Sequence, residues 1–231
     1  MTGVQTCALP DLKSKPEAND ENITKWFVFE NSKIAALQEK IGDRPTRFEA
    51  LLALMWGAMI AAKEEKVESN PTQFGVLIPV GLRHKMNPAL PEQCIGNAIT
   101  IGMTGWPTKE KANHNKIVLE ARELKSMVDE YVKNGFPNGW MNCIRNEAAI
   151  DRNSAMKMYT FSSGCRLPFY ETDFGWGKPV WLCLGERQKN NTFILQDTAN
   201  GKGIQVMVAL SKEDMAKFEQ DPAILAYASS N

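Results

Sequence analysis

Few residues in this chain are of types that do bond-making chemistry. There are two histidines, His84 and His114. A nucleophilic triad or a general base of the usual kind would need one of them. His84 sits in LRHKMNP, at the end of an apolar run, and His114 in KANHNK, on the polar start of a helical pattern. A catalytic histidine needs an oriented partner. Neither context supplies one, so both read as ordinary surface histidines. The five cysteines are Cys7, Cys94, Cys143, Cys165 and Cys183. They are odd in number, widely spaced and without a C-x-x-C pair. That argues against a zinc site or disulfide framework and for reduced thiols in a cytosolic protein. None has a recognisable nucleophile setting. Walker and G-x-G-x-x-G loops are missing from the sequence, and NGKG at 200–203 reads as a hairpin turn rather than a phosphate cradle.

Two constellations carry more. Thr46-Arg47 opens an apolar helix, and a helix N-terminus with a hydroxyl and a guanidinium is a fair anion site. From spacing alone, a capped helix with an exposed arginine is the commoner outcome. The second is YETDFGWGKPVW at 170–181, too irregular for a helix and too bulky for a solvent loop. It sets Asp173 among Phe174, Trp176 and Trp181. A carboxylate buried beside these rings would be costly without a cation, and arginine is its best bidentate partner. The expectation is a structural ion pair between Asp173 and Arg83, which ends the apolar run before LRHKMNP. Gly175 and Gly177 would allow the tight backbone path beside Trp176.

The elements that must position these residues are legible in outline. ITKWFVFE at 23–30 reads as a strand and NSKIAALQEKIG at 31–42 as a short helix capped by Asn31 or Ser32 and stopped by Gly42. Thr46 and Glu49 form a T-x-x-E capping box for a helix apolar nearly all round, which must lie buried. FGVLIPVGLR and QCIGNAITIGM read as strands. A long amphipathic helix runs from about 109 to 134, with Ile117, Ala121, Leu124, Val128 and Tyr131 on one face. AMKMYTFSS and KPVWLCL are further strands. NTFILQD and GIQVMVAL form a hairpin through Asn200-Gly201, and SKEDMAKFEQD a helix capped by Ser211.

With 231 residues and 43% apolar content, the chain can bury a substantial core. Its 27 basic and 27 acidic residues cancel. No global field attracts nucleic acid or an anionic membrane, so an anionic ligand must be caught locally. ALLALMWGAMIAA at 50–62 is too short to span a bilayer. Residues 1–10 look like translated sequencing-adapter sequence, residues 11–22 a polar linker or crossover, and 23–231 the folded domain.

DFGWGKP at 173–179 resembles the hallmark of the BAHD family of plant CoA-dependent acyltransferases. The likeness extends through PTRFEALLALMW (45–56), VGLRHKMNPALPEQCIGNAI (80–99), CRLPFYETDFGWGKPVW (165–181) and GIQVMVALSKEDMAKFEQD (203–221), in the family's order. Its style is closest to the alkaloid and alcohol acyltransferase branch. The resemblance implies an α/β fold, a chloramphenicol-acetyltransferase-like domain with a mixed sheet and flanking helices. It implies acyl-CoA as co-substrate, no metal, and a small-molecule alcohol or amine as acceptor. It implies Thr46 and Arg47 for the CoA phosphates. Ser162, Ser163 and Asn97 would line the channel. Arg83, Asp173, Gly175, Trp176 and Gly177 would be structural.

The family's base is the histidine of an H-x-x-x-D motif. Here His84 is followed at the fourth place by Pro88 and His114 by Val118, so no catalytic residue is assigned. The matched motifs all belong to the family's C-terminal half. The expectation is therefore a C-terminal domain that lacks its N-terminal partner domain and is inactive alone. The alternative is a non-catalytic acyltransferase-like protein that binds CoA or a partner. Gly164 stands where the family commonly carries tryptophan, which would widen the pocket locally.

Overall fold

The structure, a computed structural model, describes residues 22–64, 73–91, 93–96, 98–106, 113–134, 156–183 and 191–230. Its strands are β1 (Asn22–Glu30), β2 (Gln73–Gly81), β3 (Ile99–Trp106), β4 (Met156–Ser163), β5 (Thr192–Asp197), β6 (Gly203–Ser211) and β7 (Ser229–Ser230). Its helices are α1 (Asn31–Ile41), α2 (Arg47–Glu64), α3 (His114–Asn134), α4 (Lys212–Gln220) and α5 (Pro222–Tyr227). The strands form one mixed sheet in the order β3-β2-β4-β5-β6-β1-β7. β2, β4 and β5 run parallel, and the remaining neighbours pair antiparallel.

α2 is the centre of the core. Residues 50 to 60 of this helix are all buried, and it packs against α1, α3, α4, α5 and β4. Burial on every side is what its apolar circumference dictates. Its capping box forms as the T-x-x-E spacing requires. Thr46 N–H donates to Glu49 Oε2 at 2.9 Å and Glu49 N–H to Thr46 Oγ1 at 3.2 Å. α1 buries Ile34, Leu37 and Ile41 and stops at Gly42, whose φ of 76° suits glycine. It emerges straight from β1 with Glu30 at the cap position and no side-chain cap. The expected cap by Asn31 or Ser32 does not form, because Asn31 turns its amide to Gly201 and Arg47 instead. Ser211 does cap α4, accepting from Asp214 N–H.

The β5–β6 hairpin forms with Gly201 at φ 66°. Three expectations are displaced. β3 begins only at Ile99, so the described residues of QCIGNA, 93–96 and 98, are not strand. The long helix starts at His114. No strand forms over the described part of KPVWLCL, residues 178–183. Pro179 has no N–H for a ladder, and the segment instead contacts Trp26 of β1 and Gln205 of β6. Residues 1–21, the adapter-like segment and nearly all of the polar linker, lie outside the described residues.

Candidate functional site

β2, β4 and β5 end at Gly81, Ser163 and Asp197, and parallel neighbours end on the same edge of the sheet. Ligands of open α/β sheets bind outside such carboxyl ends. A cavity of about 560 Å³ opens there, against the N-terminus of α2. Its cationic lining is Arg47, Lys85, Lys125 and Arg166. Glu49 is the acidic residue of the lining. Its carboxylate accepts from Thr46 N–H and from Arg122 Nε at 3.3 Å. Lys85 is paired with Asp129. Lys125 and the Arg166 guanidinium have no partner among the described residues. Among the described residues, the balance of free charge at the cavity is therefore positive.

Asp197 organises one wall. Its Oδ1 accepts from Arg47 Nη2 at 3.1 Å, and its Oδ2 from the Arg166 backbone N–H at 2.6 Å. Arg166 lies in the left-handed region, φ 67°. Gly164 N–H donates to Leu195 O at 2.8 Å, continuing the β4–β5 ladder into this turn. Cys165 also lines the cavity. Burial pushes its thiol above the ordinary range, opposed by the Ser163 hydrogen bond. A thiol so placed stays protonated at neutral pH and is a poor nucleophile.

Thr46 and Arg47, expected to bind the CoA phosphates, both line the cavity, and each already has an internal partner. Ser163 lines it too. Ser162 does not, because successive strand residues point to opposite faces. Asn97 lies outside the described residues. The expected opening at Gly164 is filled: a Cβ built there would lie 3.2 Å from Cε2 of Phe169.

The expected Arg83–Asp173 pair does not form in this structure. Asp173 is exposed, and its Oδ1 accepts from Gly175 N–H at 2.7 Å and Gly177 N–H at 3.0 Å. These bonds hold the carboxyl below its ordinary range. Arg83 donates to Gly96 O. The physical premise of the pair was burial, and it is not met, because Phe174 and Trp176 are 75% and 86% exposed. Gly175 and Gly177 take φ of 103° and 104°, so their freedom is used as expected. What fastens the segment is Gln205. Its Nε2 shares two hydrogens among Gln196 Oε1 at 3.2 Å and, on the segment, Tyr170 Oη and Leu182 O at 3.4 Å, while Tyr170 Oη accepts from Leu182 N–H. Trp181 packs edge-on against Trp26.

Asp197, Arg166, Lys125 and Gln205 were missed from sequence. The one available signal was a carboxylate closing an apolar strand, ILQD. His84 is exposed, and no histidine lines the cavity. No helix of the described residues is long and apolar enough to cross a membrane.

Solved structures share this fold. Vinorine synthase matches with a TM-score of 0.68 and 24% identity, over 91% of this chain and 48% of that one. F. sporotrichioides TRI101, crystallised with coenzyme A and T-2, matches with a TM-score of 0.67 and 16% identity, over 96% and 55%. The architecture is that of the chloramphenicol-acetyltransferase-like CoA-dependent acyltransferases. The family model described as "Transferase family" matches residues 5–225. Epi-neemfruitin B synthase L1AT of Melia azedarach is 42% identical over 219 residues, 90% of this chain and 50% of that protein. BAHD acyltransferase BIA1 of Arabidopsis thaliana is 30% identical over 237 residues, 96% and 53%. The chain belongs to the Transferase family, the BAHD acyltransferases. It spans about half the length of the curated relatives it matches.

Proposed function

We propose that this chain is the C-terminal domain of an acyl-CoA-dependent O- or N-acyltransferase acting on plant secondary metabolites. The observation that carries this reading is the cation-lined cavity at the carboxyl ends of β2, β4 and β5, in a chain half as long as its acyltransferase relatives. Acyl-CoA is the co-substrate. Its phosphates are received at the start of α2 by Arg47 and Thr46, with Arg166 and Lys125 adding positive charge. Ser163, Ser162 and Asn97 belong to the channel wall. The acceptor is a small-molecule alcohol or amine.

In the reaction, the acceptor oxygen or nitrogen attacks the thioester carbonyl. The C–S bond breaks, CoA leaves as the thiolate, and the acceptor proton passes to a base. This chain has no H-x-x-x-D, and the Cys165 thiol is held protonated. As the family resemblance implies, the base is the histidine of an N-terminal partner domain, and this chain alone lacks the proton-transfer advantage of about 10²–10⁴. Exposed Phe174 and Trp176, whose rings lie 6.1 Å apart, support such a partner, since adjoining exposed apolar side chains favour cover. Free Cys94, Cys165 and Cys183 support a cytoplasmic compartment.

The test is calorimetric titration of the chain with coenzyme A. Saturable binding that weakens as salt is added is expected. Absence of binding at millimolar ligand would overturn the reading.

A further inference from the structure

We infer that Asp197 is the positioning residue of the anion site, holding Arg47 and Arg166 ready for the phosphates of the ligand. This rests on the acyl-CoA reading of the cavity. The geometry is specific. Asp197 is the last residue of β5, and each of its carboxylate oxygens serves a different arginine. Oδ1 fixes the Arg47 guanidinium at 3.1 Å, and Asn31 Oδ1 steadies its other nitrogen at 3.4 Å. Three elements, β5, α1 and α2, thus meet at one fork. A guanidinium braced in this way loses little further freedom when it takes up an anion.

Oδ2 does something different. It accepts the backbone N–H of Arg166, a residue in the left-handed region where a non-glycine side chain is strained. Such backbone persists only where the surroundings over-determine it. The carboxylate and the Gly164–Leu195 bond supply that constraint. The Arg166 guanidinium, unpartnered among the described residues, is left at the cavity lining.

The opposing effect is plain. A carboxylate near an anion repels it, so removing Asp197 would tighten binding if Coulomb repulsion outweighed positioning. The two explanations differ in sign, which makes the inference testable. Coenzyme A is titrated into the full chain carrying Asp197→Asn, Arg47→Ala or both, with thermal melting followed in parallel. Asp197→Asn is expected to weaken binding about tenfold, within the range of measured pair couplings. In the Arg47→Ala background the same change is expected to have a much smaller effect. Unchanged or tighter binding by Asp197→Asn, or equal effects in both backgrounds, would overturn the positioning role while leaving the acyl-CoA reading intact. No binding by the parent chain would overturn both. Should Asp197→Asn fail to fold, Arg47→Lys decides. It keeps the charge and loses the fork, so weaker binding is expected, and parent-like affinity would overturn the inference.

Discussion

Thr46 and Glu49 bond each other twice across the first turn of α2, backbone to side chain in both directions. The pair satisfies two donors that a helix start otherwise leaves open. It also sets Arg47 between them, facing Asp197. Thr46→Ala removes one arm and is expected to cost about 1 kcal/mol of stability. Thr46→Ser keeps the hydroxyl and should restore most of it. Denaturant unfolding of the two variants checks the difference.

Among the described residues, Lys157 and Asp214 form the most deeply buried ion pair, with side chains 14% and 3% exposed. The pair joins β4 to the first turn of α4, where a carboxylate also suits the helix dipole. Asp214→Ala strands the ammonium and should destabilise by about 3–5 kcal/mol. Replacing both, Lys157→Met with Asp214→Leu, should recover much of that loss. A single variant as stable as the parent would contradict the assignment.

The DFGWG turn gives an expectation opposite to the one drawn from sequence. Asp173 caps two glycine N–H groups in solvent and is not the anchor of the segment. Asp173→Ala should leave the melting temperature within error and speed hydrogen exchange at the Gly175 and Gly177 amides. Gln205→Leu should be the damaging change, because it removes the amide shared among Tyr170, Leu182 and buried Gln196. Its expected cost is about 1–3 kcal/mol.

His114 offers a pH test. Burial against α2, then the Lys40 charge, lowers its pKa from the ordinary 6.5, with Asp221 opposing. The folded protein therefore prefers neutral imidazole, and the unfolded chain binds more protons near and below pH 6.5. The stabilisation is full above that pH and is lost as pH falls toward the folded value. His114→Gln should flatten this acid limb in melting experiments. The same histidine was read from sequence as a surface residue. It sits instead over Gly57, where an added Cβ would lie 3.2 Å from its ring.

Local rules made much of the fold legible. The buried α2, its capping box, the Asn200-Gly201 hairpin and the Ser211 cap follow from periodicity and hydrogen-bonding chemistry between near neighbours. The errors arose where distant segments decide. KPVWLCL has strand composition, but its described residues are held by side chains of other strands, Gln205 and Trp26. Asp173 has buried-looking neighbours, but its backbone turn keeps it in water. The cavity was half legible. Thr46 and Arg47 stand at a helix start that the sequence announces. Arg166 reaches it, and Asp197 braces Arg47 beside it, only through the parallel pairing of β4 with β5, and spacing carries no trace of that.

The central claim is that this domain receives acyl-CoA while a separate domain supplies the base. The most direct test is the full-length transcript, read upstream across the codon for Asp11. The account predicts an open frame that continues into a segment carrying H-x-x-x-D. A native start codon at that point, with no such segment upstream, would contradict it and leave a non-catalytic binding protein.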